Sequence, residues 1–259
     1  MNGGVIGRRN VPGVDSWRGV WSLQEIADAR RAGLLGRDYA TEVLADSPIA
    51  RWTLDETTGT TASDSVGTNH GTYAGATLNQ TPLIVSGASV LFSGSGSGIT
   101  IPAAANLSFL NTAFSLELWV KTTSTAVVGI VSKDTYGSVW PEYVLQLDAG
   151  GTVSFGVRST NANTPNAITT TTLAVNDGVR HHIVAVFVPS GTVKIYIDGV
   201  ERASVTHSLT TSFDSTASLY LGRIGGGAYL LGNLDEVAFY ASELSAARVL
   251  AHYNAGAVA

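Results

Sequence analysis

Residues 114–120, FSLELWV, alternate without exception: Phe114, Leu116, Leu118 and Val120 fall on one side, Ser115, Glu117 and Trp119 on the other. Period 2 is that of a β-strand with one apolar face set against a core. The same pattern recurs in IVAVFV (183–188), VKIYIDG (193–199), SLYLG (218–222) and LDEVAFY (234–240). Each run is short, β-rich and bounded by Gly, Asp or Pro-Ser. Nothing between Asn79 and Tyr240 reads as a helix. The pattern predicts an all-β protein of face-to-face sheets.

A chain of 259 residues can fill one large sandwich or barrel. Its 29 glycines, with abundant Ser and Thr, supply the turns that many short strands need. The net charge is −5 and the basic residues are scattered, which speaks against a nucleic-acid footprint. No apolar run is long enough for a membrane span, and no charged-then-apolar segment follows Met1, so Sec export is not expected. Zero cysteines exclude disulfides, thiolate catalysis and cysteine-zinc sites.

Residues 1–45 differ from the rest. MNGGVIGRRNVPGVD is Gly-rich, aperiodic and carries adjacent Arg8 and Arg9. A helix start follows: Ser22 as N-cap, Glu25 closing a capping box, Trp21 stapled on Ile26, and Gly33 as the stop. At about three turns it is too short to stand alone and must dock on its own domain, a neighbouring subunit or a larger assembly. The expected division is an arm with a docking helix over 1–45 and a sandwich over 46–259. Within the sandwich, IARWTL (49–54) reads as the first strand, 55–75 as a polar surface loop, and SVLFSG with GITIP as a hairpin. A meander then follows from FSLELWV through VSFGVRS. Asp198-Gly199 marks a hairpin turn. SAARVLAHY (245–253) predicts a short helix ending at Asn254-Ala255-Gly256.

These blocks resemble a known family. IARWTLDETTGTTASDSVGTNHGTYAG, SVLFSGSGSGITIP, FSLELWVK, the RHHIVAVF–VKIYIDGV pair, SLYLGR and GNLDEVAFYASELSAARVLAHYNAG follow the order of a laminin-G-like jelly roll of the concanavalin A-like lectin/glucanase superfamily, over about residues 47–256. The resemblance implies a two-sheet antiparallel jelly-roll sandwich, one sheet curved, with loops at its rim or over its concave face. GVWSLQEIADARRAG resembles a segment of structural proteins in the tails and fibres of tailed bacteriophages. That likeness implies a virion protein. Its anchor to other virion proteins would be formed by Arg8, Arg9, Trp17, Trp21 and Ile26. The same likeness implies homo-oligomers, and a jelly roll turned outward toward host surface glycans. The alternative is an extracellular or cell-surface bacterial lectin-like module with the arm as a linker.

Catalysis is not expected. Glucanases of the superfamily carry a Glu-x-Asp-x-x-Glu run, because a retaining glycosidase needs two carboxyls about 5 Å apart. No Glu here has Asp two residues later, and the next same-face residue after Glu117 is Trp119. His70, His207 and His252 are dispersed, without a nucleophile motif, while His181 and His182 adjoin a strand entrance. Calcium enters through the resemblance alone. The family often holds a structural Ca²⁺ between the loop after its first strand and its last strand. The matching positions are Asp64 and Asp235, with the Gly67 and Asn69 carbonyls completing an oxygen shell. Against this stands a simpler reading, with Asp64 capping a turn and Asp235 hydrogen bonding to it. For glycans, which need aromatic faces beside planar polar groups, the segment 133–143 concentrates Tyr136, Trp140 and Tyr143. Arg223 and Tyr229 flank the Gly225-Gly226-Gly227 turn. Trp140 is equally read as packing under its loop or against a neighbouring subunit, and Trp52 and Trp119 as core.

Overall fold

A computed structural model describes residues 38–109, 111–134, 141–158, 167–210 and 216–257. Strands are numbered in chain order. The first eight-stranded sheet runs β14 (Val200–Thr206), β13 (Thr192–Ile197), β12 (Arg180–Phe187), β7 (Phe114–Thr122), β16 (Leu231–Tyr240), β5 (Ser89–Ser93) and β4 (Thr77–Gln80). The short β1 (Ala50–Trp52) also pairs with β16. The second eight-stranded sheet runs β11 (Ala167–Ala174), β10 (Thr152–Val157), β9 (Tyr143–Leu147), β8 (Val128–Asp134), β15 (Ser218–Leu221), β6 (Gly98–Ile101), β3 (Gly71–Ala74) and β2 (Thr61–Ala62). Neighbours pair antiparallel throughout. Two helices, α1 (Tyr39–Ala45) and α2 (Ala246–Ala257), pack on the outer face of the first sheet. The all-β sandwich expected from the alternation, and the jelly roll that the resemblance implies, are the observed fold.

The alternation of residues 114–120 does what period 2 demands. Phe114, Leu116, Leu118 and Val120 enter the core between the sheets, where they join Trp52, Phe92, Phe155, Phe187 and Phe239. Each such side chain contributes roughly 1.5–3 kcal/mol by leaving water. Phe114 stacks on Phe109 with the rings nearly parallel and 4.2 Å between centroids. Trp52 is fully buried there, and its indole donates to the Asn69 carbonyl at 2.9 Å.

Several local expectations change. SVLFSG and GITIP do not form a hairpin: β5 belongs to the first sheet and β6 to the second. Gly94 and Gly96, both at positive φ, carry the chain round a sandwich corner instead. The polar stretch 55–75 is not only loop, since β2 and β3 within it pair with each other and β3 extends the second sheet through β6. The C-terminal helix does not stop at Gly256 but runs through it. A Cβ there would lie 2.5 Å from Trp119 Cζ2, so this glycine serves close packing rather than termination. The helix α1, capped by the Asp38 carboxylate on the Thr41 N–H, was not foreseen in YATEVLA. The helix expected over 22–33, and the anchor residues Arg8, Arg9, Trp17, Trp21 and Ile26, lie outside the described residues.

The other side of β7 is equally buried. Ser115, Glu117 and Trp119 are covered by α1, α2 and the Leu83–Ile84 segment. Glu117 is wholly enclosed, and its Oε1 accepts from Tyr39 Oη and His182 Nε2, both at 2.8 Å. Its Oε2 accepts from Tyr240 Oη at 2.6 Å and His252 Nδ1 at 2.9 Å. Burial alone would raise the Glu117 pKa, but the His182 and His252 hydrogen bonds and charges outweigh it and hold this carboxyl well below the usual range. His252 Nε2 meets Asp46 Oδ2 at 2.8 Å, so both ring nitrogens face carboxylates and both must donate. Burial opposes that charge, but Glu117 and Asp46 prevail and raise its pKa. Arg248 extends the network to Asp46 and Glu42, tying α2 to α1.

Candidate functional site

The outer face of the second sheet carries the aromatic and planar polar groups that can meet a ligand. In SLYLG, Leu219 and Leu221 point inward, which places Tyr220 outward beside Thr100 and Ser132 of the adjoining strands. The turn after β15 folds back over this face. Its Arg223 guanidinium lies 4.2 Å over the Tyr220 ring and donates to Thr100 Oγ1 at 3.1 Å. The Arg223 carbonyl accepts from Ser132 Oγ at 3.0 Å. Gly129 makes that approach possible, because a Cβ there would lie 2.4 Å from the Arg223 backbone. Arg223, Tyr220 and Tyr229 are all half-buried. The arrangement offers a flat guanidinium–ring stack and a hydroxyl, held rigidly by the sheet: groups that can stack on a sugar and bond its hydroxyls.

The expected glycan residues divide. Arg223 and Tyr229 belong to the turn over this face. Tyr136 and Trp140 lie outside the described residues. Tyr143 is corrected to a core residue: it is fully buried among Phe109, Phe114 and Phe239, and its hydroxyl donates to the Leu107 carbonyl at 3.0 Å. Its parity in β9 matches the inward Leu145 and Leu147. Tyr220 and Thr100 were missed, although strict alternation in SLYLG and GITIP already puts both on the outward side.

The expected calcium residues are held by protein donors instead. Asp64 Oδ1 accepts from the Arg51, Val66 and Gly67 N–H groups at 3.0, 3.2 and 3.0 Å, and Oδ2 from Asn69 N and Nδ2 at 3.0 and 3.2 Å. The Asn69 carbonyl is taken by Trp52. A Cβ at Gly67 would lie 2.6 Å from Asp64 Oδ2, so Gly67 is needed for the loop to close on that carboxylate. Asp235 accepts from the Leu83 N–H at 2.8 Å, and burial pushes its pKa up to about 9. Five N–H contacts thus converge on the Asp64 carboxylate. Asp64 is the hub of a turn.

Two further groups of charged side chains are also internally committed. Arg51 forms a buried, two-pronged pair with Glu236, at 2.9 Å for each hydrogen bond. His181 bridges Asp198 and Asp177, which raise its pKa through the Asp198 hydrogen bond first, against its partial burial. No helix among the described residues is long and apolar enough to cross a membrane.

Comparison with solved structures finds the same fold at low identity. The binding domain of Paraclostridial Mosquitocidal Protein 1 superposes with a TM-score of 0.62 at 14% identity, covering 82% of this chain and 52% of that one. This chain thus spans about half the length of that structure. Domain 4 of AbnA, an extracellular GH43 arabinanase from Geobacillus stearothermophilus solved with arabinotriose, gives 0.58 at 23% identity, covering 80% of this chain and 98% of that domain. The sialidase of Trypanosoma rangeli, bound to 2,3-difluorosialic acid, gives 0.60 at 14% identity, with 89% and 38% covered. No curated protein matches by sequence. The family profile described as the concanavalin A-like lectin/glucanases superfamily matches residues 93–250, from the end of β5 into α2, and the chain belongs to that superfamily.

Proposed function

We propose that this chain is a non-catalytic, lectin-like module that binds carbohydrate on the outer face of its second sheet. The observation that carries the reading is the Arg223–Tyr220 stack with Thr100 beside it. Two similar folds support it, one described as the binding domain of a mosquitocidal protein and one solved with arabinotriose. A non-catalytic role is supported at Glu117. Glycoside hydrolysis needs two carboxyls facing a substrate, and this carboxylate is enclosed and saturated by four donors. The finer reading is a bacteriophage tail, fibre or decoration protein. The arm expected over 1–45, shortened to 1–37 because α1 packs on the sandwich, would join it to other virion proteins as one of several copies, and the sandwich would face host glycans. It rests on the resemblance of GVWSLQEIADARRAG to phage structural proteins.

Titration of the full chain with arabinotriose, followed by amide chemical shifts, tests the binding reading. Shifts clustering at Thr100, Tyr220 and Arg223, lost in Arg223→Ala, are expected. Shifts elsewhere, or none with any neutral oligosaccharide on an array, would sink it. The assembly reading is tested by truncation, which should begin at Asp38, because Tyr39 donates to Glu117 and belongs to the folded body. A 38–259 chain that still joins particles would refute the arm as anchor.

A further inference from the structure

On the opposite side of the molecule, the outer face of the first sheet ends in a cleft of about 450 Å³. This lies within the range of about 300–1,000 Å³ typical of small-ligand sites. Three adjacent strands supply its floor in one register row: Arg180 of β12 opposite Lys121 of β7, and Lys121 opposite Asn233 of β16. Gln80, Leu83 and Val179 add an amide and apolar walls, and Val179 is 56% exposed.

The charge arrangement is unusual for this chain. Like charges directly opposite on paired strands repel. Here, among the described residues, neither cation has an ion pair. Lys121 is exposed with no hydrogen-bond partner, and the Arg180 guanidinium is steadied by two neutral carbonyls, of Leu83 at 3.0 Å and Ala257 at 2.8 Å. The nearby acids do not compensate. Asp177 is bonded to the Val179 N–H and His181, and Asp235 accepts from Leu83 beneath the cleft. Two cations without a carboxylate partner among the described residues, two amides and two apolar walls thus converge in a chain whose net charge is −5.

We propose that this cleft binds the carboxylate or sulfate group of an acidic sugar, with Lys121 and Arg180 pairing the anion and Asn233 and Gln80 bonding neighbouring hydroxyls. The inference rests on the carbohydrate-binding reading for its ligand class but concerns a separate surface. Arg180 is anchored in the fold, so Lys121 is the side chain to change. The full chain is titrated calorimetrically with trigalacturonate, with sulfated maltotriose and with neutral arabinotriose, as wild type, Lys121→Glu and Arg223→Ala. At least one acidic probe should bind wild type, weaken by about tenfold or more in Lys121→Glu, as befits loss of a charge-assisted bond, and be unaffected by Arg223→Ala. Which acidic probe binds identifies the anion. Failure of both acidic probes on wild-type protein, or equal binding by Lys121→Glu, overturns the proposal. Arabinotriose binding that depends on Arg223 would meanwhile leave the first reading intact, and its absence alongside acidic binding would remove the first reading only.

Discussion

On the inner face of β7, Phe114, Leu116, Leu118 and Val120 meet apolar neighbours from both sheets. On its outer face, Ser115, Glu117 and Trp119 are just as buried but meet helices through hydroxyls, imidazoles and a carboxylate. The inner face is non-directional: burial drives it, and hydrophobic side chains of similar volume would serve. The outer face is directional. Glu117 fixes α1 through Tyr39, α2 through His252 and its own sheet through His182 and Tyr240, so one carboxylate sets where both helices lie. Such a network rewards completeness, since any member removed leaves others buried and unpaired.

The largest effect should therefore come from Glu117→Ala, which strips four donors of their acceptor at once. A loss of about 3–5 kcal/mol is expected, as for breaking a buried ion pair, read from urea unfolding at neutral pH. Leu118→Ala, one residue away on the inner face, should cost a similar ~2–5 kcal/mol as a cavity. A Glu117→Ala loss below about 1 kcal/mol would mean that the outer face is held by apolar contact alone, and the contrast would collapse.

The two variants should separate by pH. The Glu117 pKa is depressed on folding, so its stabilisation is present above about pH 4.3, the ordinary carboxylate value, and fades as pH falls toward its folded value. The His252 pKa is raised, so its contribution is full below about pH 6.5 and is lost as pH rises through the folded value. Stability should peak between these limits. The Leu118→Ala loss should be the same at pH 5.5 and pH 8, while the Glu117→Ala loss should be smaller at pH 8. A loss for Glu117→Ala that does not change between those pH values would remove His252 from the account.

What the sequence disclosed follows the same division. Inner positions were readable because alternation is local: the residues carrying the signal in 114–120, 183–188 and 234–240 are the residues that pack. The outer network was not readable, because Glu117 meets partners at 39, 182, 240 and 252, and none of them lies within sixty residues of it. The corner at 94–97 looked like a hairpin because glycine at positive φ serves either path. Tyr220 and Thr100 were within reach of the alternation rule. The Lys121–Arg180 row was not, since it depends on the β7–β12 register.

Gly256→Ala probes how tightly the outer layer is fitted. Alanine favours a helix over glycine by about 1 kcal/mol, but here its methyl would press on Trp119. Overpacking of a fitted core costs about 1–3 kcal/mol, so a lower melting temperature is expected, with reduced near-ultraviolet ellipticity from Trp119. An increase in melting temperature would show that α2 can slide outward, and that the layer is held by Glu117 more than by its contacts.

The smallest expected effect is a gain. Glu117 and Asp235 are both buried carboxyls on the outer side of the first sheet, yet they differ in charge. Glu117 has four donors, two of them histidines, and is ionised; Asp235 has the neutral backbone N–H groups of Leu83 and Glu236, and burial pushes its pKa up to about 9. The number and charge of donors decide the state, not depth. Folding thus protonates Asp235, and because the unfolded chain holds this group ionised above about pH 3.9, the cost rises with pH until the folded pKa is reached. Asparagine avoids that cost and can still accept from Leu83. Asp235→Asn should stabilise the protein by about 1 kcal/mol or more at pH 8 and by less at pH 5, since each unit of pKa shift is worth ~1.4 kcal/mol at most. Thermal melts at the two pH values, with and without calcium, read this directly. Destabilisation at pH 8 in calcium alone would mean that Asp235 is an ionised ligand after all and that the donor-counting contrast with Glu117 fails there.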